Sequence, residues 1–418
     1  MKTKHMKWIL SGFLSMLCLT ACGSGAYTVS SSLTSEIEPQ ELVGHVPDDG
    51  FLISQTAFAR NLLMQTAASC ENENILISPY SAMQALAMTA NGADGSTRAE
   101  MEQALGGIPC DDLNQYLYSM RTGLMQTENA VLQTANSVWI RDQEDRISVK
   151  QDFLQTVKNG YDADAFKKPF DNTTCNEING WVRHKTSGMI EELLDTIPQE
   201  AVMYLVNATA FDAKWSTQYD DAFDSTFTAA DGSAQNCRMM YGTEHSYLSD
   251  DHATGFMKYY QDGGYAFCAL LPEEGMTPQA YLEGVTAGEL HKMLTEPAHE
   301  DVETGLPVFS YDFEMELSET LTGMGMKQAF LPDADFSKMA DTATGSLYIS
   351  RVLHKTHIDV DTEGTKAAAV TAVEMADGAD VEEEEPKRVI LDRPFVYMIV
   401  DTKTMIPIFT GILNEIPQ

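Results

Sequence analysis

The segment Gly364-Thr365-Lys366-Ala367-Ala368-Ala369-Val370-Thr371-Ala372-Val373 has residue types suited to a conformational event more than to a catalytic one. Read with the two-residue period of a strand, Thr365, Ala367, Ala369, Thr371 and Val373 share one face, all small or β-branched and uncharged. Lys366, Ala368, Val370, Ala372 and Glu374 share the other. Such a segment can slide between two existing strands without steric or desolvation cost on its inner face. An Ala-rich helix suits the same residues about equally on intrinsic propensity. Glu374 to Glu385 then carries seven acids in twelve residues, which predicts a solvated, exposed loop. Arg393-Pro394-Phe395-Val396-Tyr397 re-enters an apolar strand. A strand-compatible hinge, a long exposed loop and a return strand together present a bait.

Patterns for catalysis are missing: there is no Gly-x-Ser-x-Gly elbow, Walker loop, Gly-x-Gly-x-x-Gly or His-Glu-x-x-His. The nine His are scattered and read as surface or hydrogen-bonded structural residues. Asp359-x-Asp361-x-Glu363-Gly364 begins like an EF-hand loop, but its twelfth position is Val370 where a bidentate Glu is required. No catalytic residue, metal or cofactor is assigned, and the chain is not read as an enzyme. Outside the first 22 residues the cysteines are Cys70, Cys110, Cys175, Cys237 and Cys268, odd in number and widely spaced. That is neither a disulfide framework nor a zinc site, and most are expected to be buried free thiols.

Lys and Arg total 27 against 62 Asp and Glu, a formal net charge of -35. Phosphate backbones repel such a polyanion, so nucleic-acid binding is disfavoured. Residues 1–21 read as a targeting segment: Lys2, Lys4 and Lys7, an apolar stretch from Trp8 to Leu19 too short to span a bilayer, then small residues. Leu19-Thr20-Ala21-Cys22 resembles the bacterial lipobox, which implies cleavage before Cys22, lipidation of its sulfur, and an extracytoplasmic protein anchored to a bacterial membrane. The alternative is an ordinary secretory signal. Residues 22–50 form the lipidated Cys and its tether; Ser24 to Gln40, rich in Ser and Thr, reads as flexible.

Apolar spacing predicts an opening helix over Phe51 to Ala68 and a second over Pro79 to Ala90, with Pro at its start and Asn91-Gly92 stopping it. Shorter helices fit Thr97 to Leu105, Asp112 to Gln126 and Asn176 to Leu194. Strand patterns cover Ala130 to Ile140, Ala201 to Phe211, Ala266 to Leu271, Asp312 to Leu317, Leu347 to Asp361, Val389 to Val400 and Ile406 to Leu413. Helices first, strands later and no regular alternation predict an α+β fold with mainly antiparallel sheets.

Over essentially all of residues 51–414 the chain resembles the serpins. The resemblance rests on Asn74-Ile75-Leu76-Ile77-Ser78-Pro79-Tyr80-Ser81, Asn136-Ser137-Val138-Trp139, Val206-Asn207-Ala208-Thr209-Ala210-Phe211-Asp212-Ala213-Lys214-Trp215, Ser350-Arg351-Val352-Leu353-His354-Lys355, Arg393-Pro394-Phe395 and Phe409-Thr410-Gly411. It implies one domain, 51–418, of about nine helices around three mainly antiparallel sheets, with an exposed reactive-centre loop at about 362–392. It further implies an irreversible suicide-substrate inhibitor that traps a serine protease as an acyl-enzyme by inserting the cleaved loop into the central sheet. Ser78, Ser81, Asn207 and His354 match the shutter, Trp215 the breach, and Glu363, Gly364, Thr365, Lys366, Ala367, Ala368 and Ala369 the hinge. Non-inhibitory members often carry bulky, charged or proline residues in the hinge, so the pattern favours inhibition; the alternative is a substrate-like or non-inhibitory surface binding protein.

Two departures stand out. Thr362 occupies a position usually held by Glu, and the loop is a few residues longer than the common pattern, within its acidic stretch. Family spacing places the scissile bond near Gly378-Ala379, within Met375, Ala376, Asp377, Gly378, Ala379, Asp380 and Val381. These small or apolar residues suit elastase-like or subtilisin-like proteases, and Met375 a chymotrypsin-like pocket. Lys387 and Arg388 lie too far along the loop and read as the start of the return strand. The implied partner is the target protease, bound covalently by a monomer.

Overall fold

The computed structural model describes residues 31–127, 129–142, 147–343, 346–365 and 387–417. Among them are nine α-helical segments and three larger sheets, the α+β arrangement expected. Helix Pro79–Ala90 is buried along its whole length, and its bounds coincide with those expected. Pro79 costs no helical hydrogen bond at the first position, and the Ser78 hydroxyl accepts from the Ser81 amide as N-cap. Helix Asp49–Ser69 starts at Asp48, whose carboxylate accepts from the Phe51 amide.

The sheet in front of helix Pro79–Ala90 has the strand order Phe309–Glu316, Arg351–Val360, Gly364–Thr365, Met203–Lys214, Ala130–Arg141, Asp164–Lys168. A second six-stranded sheet runs Ile75–Ile77, Pro407–Leu413, Phe395–Asp401, Tyr265–Pro272, Ala253–Tyr259, Tyr247–Ser249. Four strands, Lys387–Ile390, Val302–Pro307, Ala234–Glu244 and Ala222–Thr228, make the third. One large apolar core joins these sheets to the helices, and a smaller one around Trp139, Phe166 and Trp181 lies under helix Asn172–Lys185.

Three expectations differ from the structure. The run Val389 to Val400 is two strands in two different sheets, Lys387–Ile390 and Phe395–Asp401. Between them the chain turns: the Asp392 carbonyl accepts from the Thr228 amide, Arg393 donates to the Pro272 carbonyl, and Pro394 cannot donate to a ladder. The helix expected over Asn176 to Leu194 is Asn172–Lys185. Left-handed Ser187 and Gly188 end it, and the Asn179 side chain binds the amides of Leu193 and Leu194 and the Leu194 carbonyl, folding the rest back along the helix. The flexible tether read into Ser24 to Gln40, within 22–50, is seated on the body from residue 31 onward. Its hydroxyls bind the outer edge of the first sheet: Ser32 exchanges hydrogen bonds with Ala165, Thr34 donates to the Ala163 carbonyl, and the Leu33 amide donates to the Ala165 carbonyl. Ser and Thr that signal a linker by composition here cap an edge strand.

Candidate functional site

The first sheet is zipped below and parted above. Arg351 to Thr356 pair in parallel with Tyr204 to Thr209. Above that row Gly364 and Thr365 lie between the same two strands, opposite Lys214 and Ala213 on one side, with Thr365 opposite Val360 on the other. Glycine is required at 364 by close approach: a Cβ there would come 2.2 Å from the Ala213 carbonyl oxygen and 2.7 Å from the Lys214 Cα. Thr365 is 1% exposed, and its hydroxyl lies 2.7 Å from that of Tyr260.

The acids that imitate a calcium loop make the turn into this hinge. Asp361 Oδ1 accepts from the amides of Glu363 (2.8 Å) and Gly364 (3.1 Å), while burial raises the Asp361 carboxyl above its ordinary pKa. Three successive carbonyls of the turn are taken by the chain after Met203–Lys214. The Trp215 indole N–H donates to Asp361 (2.9 Å), the Tyr219 amide to Thr362 (2.9 Å) and the Trp215 amide to Glu363 (2.9 Å). Gln218 adds a bond to the Glu363 carbonyl. Trp215 is fully buried and stacks on Tyr260, centroids 4.5 Å apart.

Lower on the seam, Asn136, Asn207 and His354 stand opposite one another in a row across three strands. The Ser78 amide donates to His354 Nε2 (3.0 Å), so the ring proton sits on Nδ1 and is donated to Asn207 Oδ1, 2.7 Å away. Asn207 Nδ2 donates to Ser81 Oγ and to Asn136 Oδ1. Ser78 Oγ donates to the Ile408 carbonyl at 2.8 Å, tying the cluster to the second sheet. Burial holds the His354 imidazole down at about 4, because the charged ring would be desolvated here.

The structure thus brings Ser78, Ser81, Asn207 and His354 into one cluster, and Trp215, Glu363, Gly364 and Thr365 into another at the top of the same seam. Lys366, Ala367, Ala368 and Ala369 of the hinge, Met375, Ala376, Asp377, Gly378, Ala379, Asp380 and Val381 of the reactive bond, and Cys22 lie outside the described residues. Lys387 and Arg388 open the strand that pairs with Val302–Gly305. Cys110, Cys175, Cys237 and Cys268 are buried and Cys70 half-buried, all free thiols, with Cys110 pushed up to about 12 by burial. No group of His, Cys, Asp or Glu among the described residues is disposed to hold a metal ion.

Sequence reasoning missed Asn136, Gln218, Tyr219 and Tyr260. Asn136 had a signal, being an amide directly beside the Ser137-Val138-Trp139 run of a largely buried strand. Tyr260 and Tyr219 had none, since their partners lie 105 and 143 positions away in the chain.

Residues 53–416 match the family described as serpin (serine protease inhibitor). An uncharacterised serpin-like protein of Thermococcus kodakarensis is 31% identical over 350 residues, covering 81% of this chain and 80% of that one. Mouse neuroserpin is 28% identical over 374 residues, 85% of this chain and 89% of its own. Among solved structures, the thermophilic serpin tengpin in its native state aligns with a TM-score of 0.88 at 41% identity, over 92% of this chain and 99% of that one. Its latent state aligns at 0.78 and 39% identity, over 90% and 100%. The chain belongs to the serpin family, whose members are typically protease inhibitors and whose native fold it shares.

Proposed function

We propose that this serpin is an irreversible suicide-substrate inhibitor of extracellular serine proteases with elastase-like or subtilisin-like preference. The observation that carries the reading is the register of Gly364 and Thr365. Continued without a slip, both pairings bring Ala369 opposite Thr209 and Thr356, which face each other now, and Glu374 opposite Tyr204 and Arg351, which also face each other now. One new strand, 366–374, therefore fits the length of the seam. Ala367, Ala369, Thr371 and Val373 fall on the face of Thr365, toward the core. Lys366 arrives between Asp212 and Asp359, an acid on either side.

The bond near Gly378-Ala379, or its neighbours from Met375 to Val381, lies just beyond that strand. A protease serine attacks the scissile carbonyl, the C–N bond breaks, and the new amine leaves with a proton from the catalytic histidine. The protease stays attached by an ester while the freed strand enters the sheet. Hydrolysis of the ester needs an aligned base and a formed oxyanion hole, and dragging the tethered serine the length of the sheet distorts both. Lipidation at Cys22 would hold a monomeric inhibitor at a bacterial membrane outside the cytoplasm, and its strong net negative charge, deepened further by the loss of Lys2, Lys4 and Lys7 with the signal, would steer cationic proteases toward it.

The test is to cut the loop with a protease that the protein does not trap and to follow thermal unfolding. Insertion adds ladder hydrogen bonds worth about 1 kcal/mol each, so the midpoint should rise by roughly 20 °C or more. A cut protein that melts where the intact one does would mean the sheet does not take up the loop, and the non-inhibitory binding protein would replace this reading.

A further inference from the structure

The turn Asp361–Glu363 is clasped by Trp215, Gln218 and Tyr219, but these residues lie outside the sheet and need holding themselves. A buried lysine holds them. Lys258, the one charged residue of strand Ala253–Tyr259, is 2% exposed. Its ammonium donates to the Thr217 carbonyl (2.9 Å) and to Glu244 Oε1 (2.7 Å). It also lies over the Tyr219 ring at 4.1 Å and the Trp215 ring at 5.5 Å. The Tyr219 ring also lies against Gly242, where a Cβ would come 3.0 Å from it. Glu244 and Gly242 belong to strand Ala234–Glu244 of the four-stranded sheet, two places across from the return strand Lys387–Ile390. The lysine thus ties the top of the seam to the sheet that anchors the other end of the loop.

A buried ion pair is a poor device for stability, since well-packed apolar residues of the same volume serve as well or better. It is a good device for fixing one arrangement. Every contact of this ammonium except Glu244 is to the clasp: one carbonyl and two aromatic faces. Desolvated aromatic faces hold a cation more strongly than exposed ones, and two hydrogen bonds fix its direction.

We infer that Lys258 and Glu244 are positioning residues for loop insertion: they hold the Trp215–Tyr219 clasp so that Gly364 and Thr365 stay in register at the top of the seam. A hinge already in register begins to insert as soon as the loop is cut. One that frays begins late, and the acyl-enzyme is hydrolysed first. The inference rests on the insertion reading above.

The test compares the wild type, the double variant Lys258→Met/Glu244→Met, which leaves no buried charge unpaired, and Lys258→Arg, which keeps a cation and its donors. With a protease that the wild type traps, loop cleavage should proceed at the wild-type rate in all three. The fraction ending as covalent complex should fall about tenfold in the double variant, the worth of a charged hydrogen bond, and recover in Lys258→Arg. A folded double variant that traps as the wild type does would overturn the inference, and so would a loss that Lys258→Arg fails to recover. Amide exchange at Trp215 and Tyr219 provides a second readout that needs no protease. It should quicken in the double variant, and unchanged exchange would overturn the inference. If the wild type itself neither traps a protease nor gains heat resistance when cut, the proposed function fails, and the exchange result still decides whether the pair holds the clasp.

Discussion

His354 gives the buried cluster of the seam a pH dependence. Its imidazole must accept from the Ser78 amide, and protonation would set two N–H groups against each other. Its folded pKa of about 4 lies below the ordinary 6.5, so the contribution is complete above pH 6.5 and is lost as pH falls toward and through 4. The loss is on the order of 3 kcal/mol. Thermal midpoints measured across that window should fall in the wild type and fall less in His354→Gln. A second residue-scale prediction concerns Thr371, which the continued register inserts between Asn207 and His354, breaking their hydrogen bond. Its hydroxyl can serve both groups, whereas Thr371→Val strands two buried polar atoms. That variant should insert at least about tenfold more slowly after cleavage, measured by the time course of heat resistance, from a penalty of about 1–3 kcal/mol for each of the two unsatisfied groups. Ser78, Ser81, Asn207 and His354 were legible as a set only through the family resemblance. Nothing local marks them, because what unites them is a row across strands. Asn136 was missed for that reason: its place is set by pairing with Asn207, 71 positions away.

At the scale of elements, the proposed insertion would match the hinge in charge to the gap it enters. Lys366→Glu would place a carboxylate between Asp212 and Asp359, and like charges directly opposite in a ladder repel. The expected outcome is a several-fold higher molar ratio of inhibitor needed per protease inactivated, read by titration and relieved by salt. The elements themselves were legible where punctuation was local. Helix Pro79–Ala90 begins on Pro and ends before Asn91-Gly92, and both bounds could be read. They were illegible where tertiary contacts decide. A nearly unbroken apolar run from Val389 to Val400 hides a change of sheet, since only Asp392, Arg393 and Pro394 interrupt it. The Asn179 side chain, which folds the chain after helix Asn172–Lys185 back along it by capturing a segment 14 residues on, looks like any other polar helix residue in the sequence. The Ser and Thr of the segment from residue 31 read as a linker until an edge strand stands beside them.

At the scale of the whole molecule, the first sheet holds Gly364 and Thr365 between two strands that pair directly with each other lower down. The parted top, the zipped lower rows and the buried cluster beneath them form a single seam. The segment that follows in the sequence carries the small side chains and the lysine that the proposed insertion requires. On the proposed function, the molecule changes state once, when its loop is cut. Mixing the protein with elastase-like, subtilisin-like, chymotrypsin-like and trypsin-like proteases, followed by a denaturing gel and mass spectrometry, tests this most directly. Inhibition by insertion predicts a band at the summed mass that survives denaturant, with a released fragment beginning between Ala376 and Glu382. Cleavage in that window by a protease that stays fully active, with no such band, would contradict it.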